Sequence, residues 1–440
     1  MKLFYALIIF FFISSCSFDN KTGIWQNEKY VELKDNLLFK EFKSISSSKE
    51  KYNKIVLLDK DFKFNKTVLI KNNNWVDIYY ARNNNLKNFH YKNSNQLIYK
   101  SKKISKYKTS NYILFEKNNV ITSDEKGNII IFSIKNDELK AKFNFYKKRY
   151  KKTPKILNLI VEKNIIYISD NLGYVYALNY KINKVIWAKN YKIPFRSNIK
   201  IVKDKLILAN QNNSLFFINK RNGEILRTVP TEENIIKNKF VNNLAVSKSS
   251  VIFLNTYGSL YSLNTDTMRV NWFINLNQSL NINPSNVFDS NQFVISNKKI
   301  FVPVNNNFYI LDLFNGSIIY KKSFSSRIKP IVVNDILYTI DNNLLIATEL
   351  DNGKVIFSYD INEKISNYLN VKKRKVEFKT LMPIENQLFV FLKNSYVLKF
   401  KYNGSLFEIS KLPEKIHSNP IVIDDSLMFL NSKNRISVIN

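Results

Sequence analysis

The feature that most constrains the fold is a turn residue that recurs about every 44 residues along the chain. Gly or Asn occupies this position at Gly127, Gly173, Asn213, Gly258, Asn306, Asn343, Asn394 and Asn434. Both residue types tolerate positive φ in a tight hairpin turn. An apolar residue lies six positions before each of these turns, and a second turn follows ten positions after, with glycine there in four units. The pattern therefore predicts a repeated structural unit with a constant register.

Each unit is predicted to contain four strands. Aliphatic residues stand two positions beyond the second turn, and in two units Trp187 and Trp272 follow two positions later. A four-stranded unit repeated every 40 to 45 residues is typical of a β-propeller. Eight turn residues predict an all-β, eight-bladed propeller, which we assign to residues 66–440. Two or three unrelated β-sandwiches would also give short strands, but without one shared register.

The final unit is incomplete, because only six residues, RISVIN, follow Asn434. Its outer strand must therefore come from elsewhere in the chain. Segment 95–104, NQLIYKSKKI, precedes the first unit and has strand character. We predict that this segment closes the ring as the outer strand of the last blade.

The amino terminus has the layout of an export signal. Lys2 precedes an apolar run that ends at Ile13, and two serines follow before Cys16. The run is shorter than the roughly 20 apolar residues that a membrane-spanning helix needs. Residues 1–15 are therefore predicted to be a cleaved signal peptide, and the polar, Lys-rich residues 16–65 a tether.

The net charge of +33 first suggests nucleic acid as a partner. The excess charge comes almost entirely from Lys, and the lysines are spread along the chain rather than gathered with aromatic residues on one element. A nucleic-acid site of the stacking type needs such a cluster. The charge therefore indicates a solvated basic surface and no nucleic-acid partner.

Two segments carry a resemblance to known proteins: NIIYISDNLGYVYALNYKINKVIWAKN, residues 164–190, and NDILYTIDNNLLIATELDNGKVIFSYD, residues 334–360. Both resemble quinoprotein-type propeller repeats. The sequence Ile13-Ser14-Ser15-Cys16 resembles the lipobox of bacterial lipoproteins, and the stretch from Trp75 to His90 resembles a lead-in to the propeller. Together these features resemble the BamB family, the B subunits of the outer-membrane β-barrel assembly machinery.

This resemblance implies a lipoprotein whose Cys16, the one cysteine of the chain, is acylated. Position 17 is Ser rather than the Asp that retains lipoproteins in the inner membrane, which implies anchoring in the outer membrane, facing the periplasm. The family's function implies a non-catalytic scaffold without a cofactor. Its expected partners are the BamA-like platform protein and unfolded outer-membrane proteins, and the protein is expected to be a monomer within that complex.

In the family, an arginine and a D-V-D triplet contact the platform protein from the loops before the fourth and fifth turn residues. Here the triplet position reads Val287-Phe288-Asp289, so only its second aspartate is matched. The arginine position falls near Lys239, a cation that lacks the planar guanidinium. The resemblance therefore implies Asp289 and Lys239 as candidate partner-binding residues.

An enzymatic alternative comes from the same repeats, which also build quinone-dependent dehydrogenases. The chain has only two histidines, His90 and His417, which we interpret as blade or loop surface residues. It has no G-x-G-x-x-G, phosphate loop or G-x-S-x-G motif, and no second cysteine for a metal site. No catalytic or metal-binding residue is therefore predicted. A sugar-binding or sensory propeller stays open, because 25 Tyr and 33 Phe could supply exposed aromatic residues.

Overall fold

The computed structural model describes residues 52–146, 150–233, 240–277, 288–372 and 375–440, together with two short strands near the amino terminus. The chain forms two compact units, residues 1–50 and 51–440. In the first unit, Cys16–Phe18 pairs antiparallel with Trp25–Asn27. The predicted signal peptide, residues 1–15, lies outside the described residues.

The second unit contains eight four-stranded antiparallel sheets, each formed by strands that follow one another in the sequence except in the last. The prediction of an eight-bladed all-β propeller is thereby confirmed. The strands of blades 1 to 4, in chain order, are Leu114–Glu116, Asn119–Ser123, Asn128–Ser133, Glu138–Asn144; Leu157–Glu162, Ile165–Asp170, Tyr174–Asn179, Lys184–Asn190; Lys200–Val202, Lys205–Ala209, Leu215–Asn219, Ile225–Val229; and Asn243–Ser247, Ser250–Leu254, Ser259–Asn264, Val270–Asn275.

The strands of blades 5 to 8 are Val294–Ser296, Lys299–Val304, Asn307–Asp312, Ile318–Lys322; Ile331–Val333, Ile336–Asp341, Leu344–Glu349, Val355–Asp360; Phe378–Ile384, Gln387–Leu392, Tyr396–Lys401, Leu406–Lys411; and Ile421–Ile423, Ser426–Leu430, Ile436–Ile439. The one α-helix that the structure describes, Ile361–Leu369, follows blade 6. Asp360 caps its first turn by accepting from the backbone N–H groups of Asn362 and Glu363. No described helix combines the length and apolarity needed to span a bilayer.

The order of strands within a blade sets which residues are buried. The first strands of neighbouring blades contact one another, so they form the inner wall of the ring. Outer strands are largely exposed, as Ile225–Val229 illustrates, whereas second and third strands are almost wholly buried. Each blade therefore buries both of its faces against its neighbours, which is why no blade needs a core of its own.

The ring closes through the final blade. Leu97–Lys100, within segment 95–104, pairs antiparallel with Ile436–Ile439 and forms the fourth strand of that blade. The amino-terminal and carboxy-terminal ends of the propeller are thereby held in one sheet. This pairing leaves no unpaired edge at the end of the chain, which would otherwise be a site for aggregation.

The recurring turn residues have positive φ as predicted at Gly127, Gly173, Asn213, Gly258 and Asn434. In the remaining three units the predicted position of positive φ is wrong by one residue. Positive φ falls on Asn305, Asn342 and Ser395 instead of Asn306, Asn343 and Asn394. In blades 5 and 6 the physical reason is a turn of only two residues between the second and third strands, whereas blade 2 uses three.

The glycines of the second turn pack against aromatic residues of the preceding blade. A Cβ atom on Gly223 would lie 2.5 Å from the Trp187 ring, and one on Gly316 would lie 2.5 Å from the Trp272 ring. Gly353 and Gly404 meet Tyr320 and Phe357 in the same way. The repeated glycine and the repeated aromatic residue therefore form one contact between blades.

Where the aromatic residue is absent, so is the glycine of the next blade. Blade 3 has Arg227 at the aromatic position, and the turn of blade 4 has Met268. Blade 1 has Ala141, and the turn of blade 2 has Asn183. Both turn residues keep positive φ, so the backbone conformation is retained without the close approach.

The inner wall of the ring is closed by residues 70–92, which we call the axial segment. It hydrogen-bonds to the inner strand of every blade or to the turn that follows it. The contacts in blades 1 to 8 are Trp75 with Phe115, Val76 with Val161, Asp77 with Lys200, Arg82 with Val246, Asn83 with Ile295, Asn85 with Val332, Phe89 with Pro383, and Asn72 with Asp424. The inner strands therefore have partners on both edges.

Residues 52–65, assigned above to the tether, contact the propeller. Val56 exchanges backbone hydrogen bonds with Ser358, at 3.2 and 2.9 Å, and Phe64 packs against the ring of Phe357. These residues belong to the compact unit that spans residues 51–440. Sparse apolar residues within a Lys-rich stretch are sufficient for this packing.

Candidate functional site

The two faces of the propeller differ in what they present. One face carries the turns between second and third strands and the connections that lead into each inner strand; we call it the long-loop face. The other carries the tight turns between first and second and between third and fourth strands, together with residues 65–72, which contact these turns, and we call it the short-turn face. Asp289 lies on the long-loop face, in the connection into blade 5. Loops on a rigid scaffold are the usual place for binding residues.

The backbone of Asp289 is fixed by the neighbouring turn of blade 5. Its N–H donates to Asn305 Oδ1 at 2.9 Å, and the Asn305 N–H donates to the Asp289 carbonyl at 2.8 Å. The side chain itself is exposed. An exposed carboxylate on a held backbone loses little conformational freedom when a partner binds, which favours affinity.

Phe288 holds the same loop to blade 4. Its side chain is only 2% exposed, and its ring packs at the turn glycine Gly258, where a Cβ would lie 2.7 Å away. It also contacts the Phe240 ring edge-on, with 5.4 Å between centroids. The connections into blades 4 and 5, which the family resemblance selects, are therefore in contact.

Lys239, the second candidate, lies outside the described residues, immediately before Phe240. The start of its loop is described and is held by Glu232. The Glu232 carboxylate accepts from Tyr261 Oη at 2.8 Å, Ser259 Oγ at 2.9 Å and Asn255 Nδ2 at 3.0 Å. Burial raises the pKa of this carboxyl, but these hydrogen bonds outweigh it and hold the pKa below its ordinary value. No sequence pattern singles out Glu232.

The two histidines lie apart and near the surface. His90 Nδ1 is 2.9 Å from Asp425 Oδ1, and His417 Nε2 is 3.2 Å from the Thr109 carbonyl. Within the described ranges, no group of three or more His, Cys, Asp or Glu side chains could hold a metal ion.

A cavity of about 390 Å³ lies on the axis and opens on the long-loop face. Its floor is formed by the axial segment, through Trp75, Tyr79 and Leu86. We call it the axial cavity. Its described lining contains no Asp or Glu, and therefore neither an acidic ligand for a divalent cation nor a carboxylate that could act as a general base.

The comparison with protein families decides the relationship. Residues 125–359, more than half of the chain, match the model of the family described as outer membrane protein assembly factor BamB. The chain belongs to the BamB family. The resemblance found in the repeats is thereby confirmed at the level of the family.

Individual relatives of the BamB family are distant. BamB of Moranella endobia (strain PCIT) is 23% identical over 195 residues, which cover 43% of this chain and 50% of that protein. The chain thus matches half the length of this curated relative. The crystal structure of BamB from Moraxella catarrhalis superposes with a TM-score of 0.62 at 12% identity, covering 78% of this chain and 99% of that one.

The fold is also shared with proteins outside the BamB family. Quinohemoprotein alcohol dehydrogenase from Comamonas testosteroni gives a TM-score of 0.59 at 10% identity, over 83% of this chain and 80% of that one. The computationally designed Ika8 protein gives 0.60 at 10% identity, over 78% and 99%. At such identities the likeness shows the fold alone, because one fold supports many functions.

Proposed function

We propose that this protein is a non-catalytic scaffold of the outer-membrane β-barrel assembly complex, which binds the platform protein through its long-loop face. Membership of the BamB family is the observation that carries the proposal. The contact between Phe240 and Phe288 supports the choice of this face, since it joins the two loops that the family resemblance selects. The described lining of the axial cavity, without a carboxylate, favours a scaffold over a dehydrogenase.

Asp289 is the contact residue that we propose. Its exposed carboxylate suits a cationic partner, and its fixed backbone keeps it in position. Lys239 is the weaker candidate from the adjoining loop. The scaffold would aid delivery of unfolded outer-membrane proteins to the platform, and any direct contact with those substrates would use exposed outer strands.

A pull-down from solubilised membranes tests this proposal. Asp289→Arg reverses the charge, and if the carboxylate is buried against a cation, recovery of the platform protein should fall at least tenfold. Asp351→Arg is the matched control, because the Asp351 side chain is 82% exposed and lies in a turn of the short-turn face. Failure of the wild type to recover the platform would contradict the scaffold. Dye-linked dehydrogenase activity with added pyrroloquinoline quinone and calcium would favour the enzymatic alternative.

The lipid anchor is a separate part of the proposal. We infer that the mature chain begins at acylated Cys16 and lies on the periplasmic side of the outer membrane. Mass spectrometry of the amino-terminal peptide should find an acylated cysteine, and Cys16→Ser should release the protein from membranes. An unmodified thiol, or a serine variant that stays membrane-bound, would contradict the anchor and leave the scaffold untouched.

A further inference from the structure

The axial cavity has the size of a small-molecule site. Its volume of about 390 Å³ falls within the usual range for ligand pockets, and aromatic and aliphatic side chains form its floor. Tyr79 and Tyr112, both in the lining, contact each other edge-on with 5.8 Å between centroids. The cavity is thus a preformed recess with a rigid base.

Four cations line this cavity: Arg327, Lys329, Lys379 and Lys393. The described lining contains no carboxylate to balance them. Lys393 has a partner outside the lining, because its Nζ lies 3.0 Å from Glu377 Oε2. The lining therefore carries a local excess of positive charge, distinct from the lysines spread over the surface.

Two of these cations, Lys329 and Lys379, are held by backbone carbonyl oxygens. Lys329 Nζ donates to the Asn84 carbonyl at 2.6 Å, and Lys379 Nζ donates to the His417 carbonyl at 2.5 Å. An ammonium group has three N–H donors, and the contacts within the described residues use one on each lysine. A carbonyl oxygen accepts a hydrogen bond but brings no compensating charge.

The buried Asp77 carboxylate does not neutralise Lys329, because it already forms an ion pair with Lys200. Lys200 Nζ lies 2.7 Å from Asp77 Oδ2 and also donates to Asn84 Oδ1 at 2.7 Å. The fully buried Lys200 and the half-buried Lys329 are therefore both influenced by one carboxylate, Asp77, at the base of the cavity. Burial, with the charge of Lys200, lowers the pKa of Lys329 to about 7, and burial with the charge of Lys393 lowers that of Lys379 to about 8.

We propose that the axial cavity binds a small organic anion with two or more negative charges, held by Lys329 and Lys379 against the floor of Tyr79. Phosphate esters and dicarboxylates have this chemistry, and their oxygens accept the remaining N–H groups of the two lysines. The anion supplies the negative charge that the lining lacks. The cavity adjoins the connection into blade 5, because Asn291, two residues after Asp289, is part of its lining.

Isothermal titration of the full-length protein with pyrophosphate and with citrate tests this site. The wild type should bind with one-to-one saturation, and a Lys329→Met, Lys379→Met double variant should bind at least tenfold more weakly. Lys415→Met with Lys433→Met is the matched control, because it removes the same charge from exposed lysines of the same face. This control should bind as the wild type does.

The pH dependence distinguishes the cavity from general attraction to a basic protein. Lys329 faces Lys200, Asp77 and Tyr79, and Lys379 faces Lys393. Wild-type affinity should fall as pH rises from about 6 to about 9, since both lysines then lose their protons. The Lys379→Met single variant should keep the part of this pH dependence that comes from Lys329. This variant replaces the double variant as the test if the double variant fails to fold. Equal binding by all variants, equal loss in the control, or no saturable binding would overturn the site.

Discussion

The blades and the axial segment are stabilised in opposite ways. In the blades, apolar residues recur at fixed positions and every sheet except the last pairs only strands that are neighbours in the sequence. The axial segment is rich in Asn, does not repeat, and makes its hydrogen bonds to residues as far as about 350 positions away. The difference teaches that the ring can be built from local pattern, whereas its inner wall is completed by polar, long-range contacts specific to this chain.

The ion pair between Asp77 and Lys200 is a buried link between the two regions. Both side chains are buried, at 6% and 0% exposure. Asp77→Asn should lower the free energy of unfolding by about 3 to 5 kcal/mol, because it leaves an unpaired ammonium group in the core. Urea unfolding followed by tryptophan fluorescence measures this effect.

The double variant Asp77→Leu, Lys200→Met removes both charges. It is the control that separates the cost of an unpaired buried charge from the cost of altered packing. It should cost less than Asp77→Asn alone, since replacing a buried pair with apolar residues is often near neutral. An Asp77→Asn protein with wild-type stability would show that this ion pair adds nothing to the stability of the ring.

The contact between Trp272 and Gly316 tests the blades in the same way. Gly316→Ala should cost about 1 to 3 kcal/mol, because the new Cβ would lie 2.5 Å from the indole ring and the residue has a φ of +75°. Asn183→Gly, at the same turn position where the preceding blade has Ala141, should change stability by less than about 0.5 kcal/mol. Thermal unfolding of the two variants side by side checks the contrast, and equal costs would contradict it.

The contacts of Lys71 and His90, at the exposed end of the axial segment, with Asp425 should contribute least to stability. Burial raises the pKa of the Asp425 carboxyl, but its interactions with His90 and Lys71 outweigh burial and lower the pKa. The carboxylate therefore adds stability above the pKa of an unfolded aspartate, about 4, and that stability is lost as pH falls through the lower folded value. Asp425→Asn should cost under about 1 kcal/mol at neutral pH, since the pair is partly solvated. Unfolding measured at pH 7 and near pH 3 should show the cost shrinking in acid; a constant cost would contradict this.

The blades could be predicted because the pattern repeats. Gly223 and Gly316 mark turns at one spacing, and Trp187 and Trp272 mark the following strand. The number of blades and the order of strands could be predicted from this pattern. The contact between each aromatic residue and the next blade's glycine could not be predicted, since a single strand pattern does not show which blade faces which. The positions of positive φ at Asn305 and Asn342 differ from the prediction by one residue, because the prediction assumed the same turn length in every unit.

The axial segment and the cavity could not be predicted from pattern. Asp77, Lys200 and Lys329 lie more than 100 residues apart, and each resembles an ordinary surface charge in a chain with 68 Lys and Arg. Only the folded ring brings them together. Asp289 was found through family resemblance alone, and its fixed backbone depends on Asn305, which no local motif links to it.

Photo-crosslinking in intact cells tests most directly whether the long-loop face binds the assembly platform. A photoreactive residue placed at position 289 should crosslink to the platform protein, and one placed at position 351 on the short-turn face should not. Crosslinking at 351 alone, or at neither position while the protein is membrane-bound and folded, would contradict docking of the platform on this face.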